Sequence, residues 1–152
     1  MIRVRKARPE DVEMIAPLLR AEDAREVMRL GCGPASGCIR RAIAGSRMAG
    51  VFYRDEAPLC VFGVADASVV DQKTGIPWLI GTHALSRSPR PFLRETRRWV
   101  SAWMEHYSAL TNYVDADYEK AIRWLRWLGF TIGDPEPYGA PGAMFCRIEM
   151  RS

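Results

Sequence analysis

The start of the chain switches between two periodicities. "IRVRKA", residues 2 to 7, alternates apolar and basic positions as a half-buried strand does. "RPEDVEMIAPLLRAED" follows with Pro9, Glu10 and Asp11 in its first turn, where acids complement the positive end of a helix. Pro17 interrupts its apolar spacing, so this helix is either kinked or divided, with "AEDAREVMRL" as its second piece. "GCGPASG" is a loop by composition, and "CIRRAIAGSR" reads as a short helix carrying Ile39, Ala42 and Ile43 on one face.

Three strand-like runs come next. "MAGVFYRD" and "APLCVFGVADAS" flank a turn at Asp55-Glu56, and "GIPWLIGTHAL" follows a second turn at "DQKTG", which predicts an antiparallel meander. "RPFLRETRRWVSAWMEHYS" is the clearest helix. Phe92, Trp99, Val100, Trp103 and Tyr107 fall on one side of it, and Arg94, Arg97, Arg98 and Glu105 largely on the other. "ALTNYVDA" is a strand, "YEKAIRWLRWLGF" a second amphipathic helix capped by Gly129, "GDPEPYGAP" a loop and "AMFCRIEM" a closing strand. The order predicts an α/β (α+β) fold, a central mixed and mostly antiparallel sheet flanked by helices, as one domain over residues 1–152.

Composition narrows this picture. At 152 residues and 48% hydrophobic content the chain can bury one real core. No run approaches the roughly 18–20 apolar residues of a membrane span, and the charged opening is unlike an exported leader. Cys32, Cys38, Cys60 and Cys146 show no C-x-x-C spacing and no partnership with His83 or His106, so free, mostly buried thiols are expected and no metal site. A Cys32–Cys38 disulfide is the alternative, in an oxidising setting. The net charge of +4 permits an acidic partner without selecting one.

The opening "IRVRKARPEDVEMIAPLL" and the late "AIRWLRWLGF" resemble the first strand and helix and the last helix of the GCN5-related N-acetyltransferase (GNAT) fold. That resemblance implies an acetyl-CoA loop of the type R/Q-x-x-G-x-G/A, whose bare backbone N–H groups approach a pyrophosphate. The corresponding segment, "THALSRSPRPFLRE", has no glycine, and Pro89 and Pro91 each lack an N–H. The last helix is expected to carry an asparagine and a tyrosine that protonates the thiolate. Tyr118 and Leu125 stand at those two positions, and Leu125 has no proton to give. As bases for an amine, Glu95, Asp115, Asp117, Glu119 and His83 are all candidates, and spacing singles out none.

The second half, from "PWLIGTHAL" through "NYVDADYEKAIRWLRWLGF", is similar to the internal virion protein A family of short-tailed bacteriophages on Trp78, Leu85, Phe92, Leu110, Asn112, Tyr113, Val114, Ile122, Arg123, Leu125 and Gly129. It implies a non-catalytic protein without cofactor, in the virion or in the host cytoplasm during infection, that binds other phage virion or assembly proteins. Arg87, Arg90, Arg94, Arg97 and Arg98, with Trp124 and Trp127 as aromatic anchors, form the expected docking surface; packing of the helix against the sheet is the alternative for both tryptophans and the better reading for at least one. The alternative is a degenerate acyl-CoA-dependent N-acetyltransferase that holds acetyl-CoA through Thr82, His83, Leu85, Arg87 and Arg90. Nucleic-acid binding has no motif behind it.

Overall fold

The computed structural model describes residues 1–87 and 89–152. Ser88, within the segment compared above with a cofactor loop, lies outside the described residues, as does the side chain of Pro89. A seven-stranded sheet runs through the molecule in the order β1-β2-β3-β4-β5-β7-β6. Its strands are β1 (Ile2–Lys6), β2 (Met48–Arg54), β3 (Ala57–Asp66), β4 (Thr74–Gly81), β5 (Ala109–Asp115), β6 (Thr131–Pro137) and β7 (Met144–Arg151). The meander β2-β3-β4 is antiparallel as predicted, and Asp55 takes a left-handed φ of 53° in its first turn, a conformation aspartate tolerates.

Among the described residues five α-helices flank the sheet: α1 (Val12–Ile15), α2 (Ala21–Leu30), α3 (Ala35–Gly45), α4 (Pro89–His106) and α5 (Glu119–Leu128). Pro17 divides the first helical stretch, because a proline cannot continue the hydrogen-bond ladder. Ala16–Leu18 is a 3-10 turn and the chain extends at Leu19 before α2 begins. On one face of the sheet Val12, Ile15, Ile39 and Ile43 pack against Val51, Tyr53 and Val61. On the other, α4 and α5 cover Phe52, Phe62, Leu110, Val114 and Ile148, and the Phe62 ring stacks on Trp99 at 3.6 Å between centroids. Gly129 ends α5 with φ 110°, and the N–H groups of Gly129 and Phe130 close the last turn onto Arg126 and Leu125 carbonyls.

Four expectations are corrected. "GDPEP" is not loop but part of β6. That strand pairs only with β7, so Pro135 and Pro137 fall on an edge where a missing N–H is tolerated, beside a register shift between Ile132 and Pro135. The strand holding "GIPWLIG" stops at Gly81, and His83–Arg87 coils into a 3-10 helix, so "THAL" is not strand. The "GCGPASG" loop is shorter than its composition suggests, since α3 begins at Ala35. Cys32 and Cys38 are joined by a disulfide, because that helix start folds the chain back until their Cα atoms lie 6.0 Å apart, within disulfide range. Cys60 and Cys146 are free and buried. No helix among the described residues is long and apolar enough to cross a membrane.

Candidate functional site

β4 and β5 are the parallel pair of this sheet, and they pair only at Thr74 with Ala109 and Gly75 with Leu110. Beyond those positions the strands diverge, and a cavity of about 500 Å³ opens between Pro77–Ile80 of β4 and Asn112–Val114 of β5. One end is aromatic, walled by Phe62, Phe92, Trp99, Trp103 and Trp124. The other is polar, where α2 supplies Asp23 and Glu26 and the start of α5 supplies Tyr118. An open space where two parallel strands splay is a natural place for an extended ligand.

Groups of the protein already take part of the β4 edge that faces this gap, at Pro77 and Gly81. In a strand, the N–H and C=O of alternate residues share one edge, and the bonds of Pro77 and Gly81 show that this parity faces β5. The Asn112 amide donates to the Pro77 carbonyl at 2.7 Å. The Gly81 N–H donates to Asp23 Oδ2 at 2.6 Å, and the Gly81 carbonyl accepts the Arg20 N–H at 3.0 Å. Asp23 also accepts from Arg20 Nε at 2.8 Å and from the Tyr118 hydroxyl at 2.8 Å, so one buried carboxylate clasps α2, the end of β4 and the start of α5. Gly81 leaves room for these neighbours: a Cβ would come within 2.8 Å of the Arg20 guanidinium and of Leu85 Cδ2, so both side-chain ends would have to move.

The sequence-predicted residues do not converge. Thr82 is fully buried, its hydroxyl donating to the Pro58 carbonyl at 2.7 Å and its N–H to Leu59 at 2.9 Å. Leu85 is buried and lines the cavity, whereas His83, Arg87 and Arg90 are exposed. The set proposed to hold acetyl-CoA is therefore scattered between core and surface, and the start of α4 offers prolines at residues 89 and 91 in place of N–H donors. A phosphate at this helix start would find few backbone N–H donors and would have to be met by the exposed Arg87 and Arg90 side chains. Leu125 is buried against the cavity. Burial and the Asp23 carboxylate push the Tyr118 phenol well above its ordinary value, and its proton is committed to Asp23.

The five candidate bases lie elsewhere. Asp115 is ion-paired with Arg29 at 3.1 Å, Asp117 with the same guanidinium at 2.9 Å, and Glu95 with Arg98 at 3.0 Å. Glu119 and His83 are exposed. The carboxyl groups that line the cavity are Asp23 and Glu26, which sequence reasoning passed over. A signal was present: residues 23, 26, 27 and 30 share one face of "AEDAREVMRL", placing two acids beside Val27 and Leu30.

Glu26 is the unusual group of the pair. Burial raises its carboxyl from 4.5 to about 7, the hydrogen bond from the Asp115 N–H opposes this, and the neighbouring Asp23 and Asp115 carboxylates add to it. The folded chain thus holds this proton more tightly than the unfolded chain. The associated stability is present below about pH 4.5 and is lost as pH rises through about 7. A shift of that size is linked to at most about 3 kcal/mol. Urea unfolding is expected to show this decline, and Glu26→Gln to remove it; an unchanged slope in the variant would refute the assignment.

The expected docking residues divide into two groups. Trp124 is half-buried, 5.6 Å from the Phe92 ring with its indole N–H 3.4 Å from Thr96 Oγ1, so it walls the cavity and is not a surface anchor. Arg90, Arg94, Arg97 and Arg98 come together with Trp127 along a shallow groove between α4 and α5. Arg97 lies over the Trp127 ring at 3.9 Å, and Trp127 is 44% exposed. Arg87 is exposed in the preceding 3-10 turn, outside that groove.

No family model matches the sequence, and no curated protein matches it significantly. Solved structures do. An acetyltransferase of the GNAT family from Streptococcus pneumoniae is 14% identical with a TM-score of 0.67, covering 99% of each chain. An N-acetyltransferase from Staphylococcus aureus Mu50 is 15% identical with a TM-score of 0.71, over 99% of this chain and 98% of that one. AAC(6')-Ib, solved in complex with ribostamycin and coenzyme A, is 11% identical with a TM-score of 0.72, over 99% and 93%. At these identities the likeness speaks for architecture, and with the splayed seven-stranded sheet it establishes a GNAT-like acetyltransferase fold for this chain.

Proposed function

We propose that this protein has kept the acetyltransferase fold without acyl transfer and works by binding other proteins, as a structural or assembly component of a short-tailed phage virion. The observation that carries this reading is the internal capping of the β4 edge, where Asn112, Asp23 and the Arg20 N–H take the Pro77 and Gly81 groups that would meet a bound arm. Leu125 at the acid position and prolines at the start of α4 agree with it. The phage setting comes from the residue-level resemblance of the second half to internal virion proteins alone. The exposed Arg90, Arg94, Arg97, Arg98 and Trp127 face is the docking surface in this reading.

A second reading, an acyl-CoA-dependent N-acetyltransferase, is favoured by one specific observation: the splay is open and a carboxyl raised to about 7, Glu26, lines it. That group has the pKa of a useful base near neutral pH. Calorimetric titration with acetyl-CoA separates the two readings. No saturable heat up to about millimolar ligand is the expected result, and a dissociation constant in the micromolar range, about −8 kcal/mol, would overturn the non-transferring reading.

A further inference from the structure

The outer face of α4 has a composition that selects a partner class. Arg90, Arg94, Arg97 and Arg98 project on one side of the helix, spanning about 12 Å at 1.5 Å per residue. Of the four, Arg98 is paired with an acid, Glu95 at 3.0 Å. Arg97 stacks its guanidinium on Trp127. Stacking uses the flat face of that group and leaves its edge N–H donors for an in-plane acceptor such as a carboxylate. Leu93 and Ala102 also line the groove and offer apolar surface within the basic field.

We propose that this groove docks an acidic amphipathic helix of a partner protein, with Asp or Glu side chains at helical spacing on the arginines and an apolar side chain between them against Leu93 and Trp127. The proposal rests on the protein-binding reading above and gives that partner a chemistry. Carboxylates four residues apart on one helix match basic groups four residues apart on another, and an apolar residue on the same stripe matches the floor. A nucleic acid fits less well. Single-strand binding needs open aromatic faces for base stacking, and one face of Trp127 is already covered by Arg97. Glu105 also lines the groove and would meet phosphate with like charge.

The test uses the full chain and fluorescence anisotropy with three labelled probes of about 18 units: a Glu/Leu amphipathic peptide, its Gln-for-Glu twin, and an oligothymidylate. The Glu peptide is expected to bind saturably at about 50 mM salt, at least about tenfold more tightly than either other probe, and to weaken by about 300 mM salt. Arg94→Glu with Arg97→Glu is expected to reduce its affinity at least about tenfold, and Trp127→Ala to reduce it too, with unchanged circular dichroism in both. Equal binding of the Gln twin, tighter binding of the oligothymidylate, indifference to the charge reversal, or absence of peptide binding would each overturn the proposal. Acetyl-CoA titration of the same sample keeps the two ideas apart. Peptide binding beside micromolar acetyl-CoA binding would keep the groove and remove the non-transferring reading, and loss of peptide binding alone would remove only the groove.

Discussion

Replacing Asp23 by alanine is expected to lower the unfolding free energy by about 3–5 kcal/mol, the range for breaking a buried ion pair from one side. Asp23 is 4% exposed and accepts from Arg20, Tyr118 and the Gly81 N–H at once. Its loss strands the Arg20 charge, whose side chain is 13% exposed, and leaves a backbone N–H and a phenol without their acceptor. For a domain of this size each kcal/mol moves the midpoint by about 2–4 °C, so thermal unfolding should fall by about 10 °C. Asp23→Asn keeps one acceptor oxygen and should lose less. A loss below about 1 kcal/mol for the alanine variant would mean that the three partners find other acceptors.

Phe62→Ala should cost a similar amount, about 3–5 kcal/mol in urea unfolding, by a different route. Phe62 is fully buried in β3 and stacks on Trp99 with the rings only 7° from parallel. Gly50 on the neighbouring strand is there because a Cβ would come within 2.8 Å of the Phe62 ring. Strands paired on both sides of β3 hold the backbone in place, so the space cannot close. Because Phe62 also lines the splay cavity, the vacated volume joins an existing void. Trp99 fluorescence should shift to longer wavelength, and Phe62→Leu should recover most of the stability. An unshifted spectrum with full stability would contradict the packing described.

The elements with a strong period were legible from the sequence. The α4 stripe of Phe92, Trp99, Val100 and Tyr107 and the α5 stripe ending at Gly129 were fixed by 3.6-residue spacing and a glycine cap, and both helices form where that spacing places them. β6 was not legible, because prolines argue against a central strand and are silent about an edge one. The site was legible only in part. Loss of the glycine loop and of the tyrosine is written in local sequence, whereas the capping of β4 joins Asp23, Gly81, Asn112 and Tyr118 across as many as 95 positions. Glu26 was missed for the same reason: its raised pKa comes from neighbours that only the fold assembles. Trp124 and Trp127 look alike in sequence, yet one turns to the cavity and the other to the surface.

The prolines of β6 also decide how this protein can be approached by others. The sheet has two borders, β1 and β6. Along β6, Pro135 and Pro137 withhold N–H groups and Asp134 and Glu136 add charge, while β1 carries Arg3, Arg5 and Lys6. Neither border is a template on which a foreign strand adds readily, so recognition by sheet extension is disfavoured at both ends. The chain is thereby protected from indiscriminate edge-to-edge stacking with its own copies, and contacts with other molecules are steered to side-chain surfaces, where sequence can specify the partner.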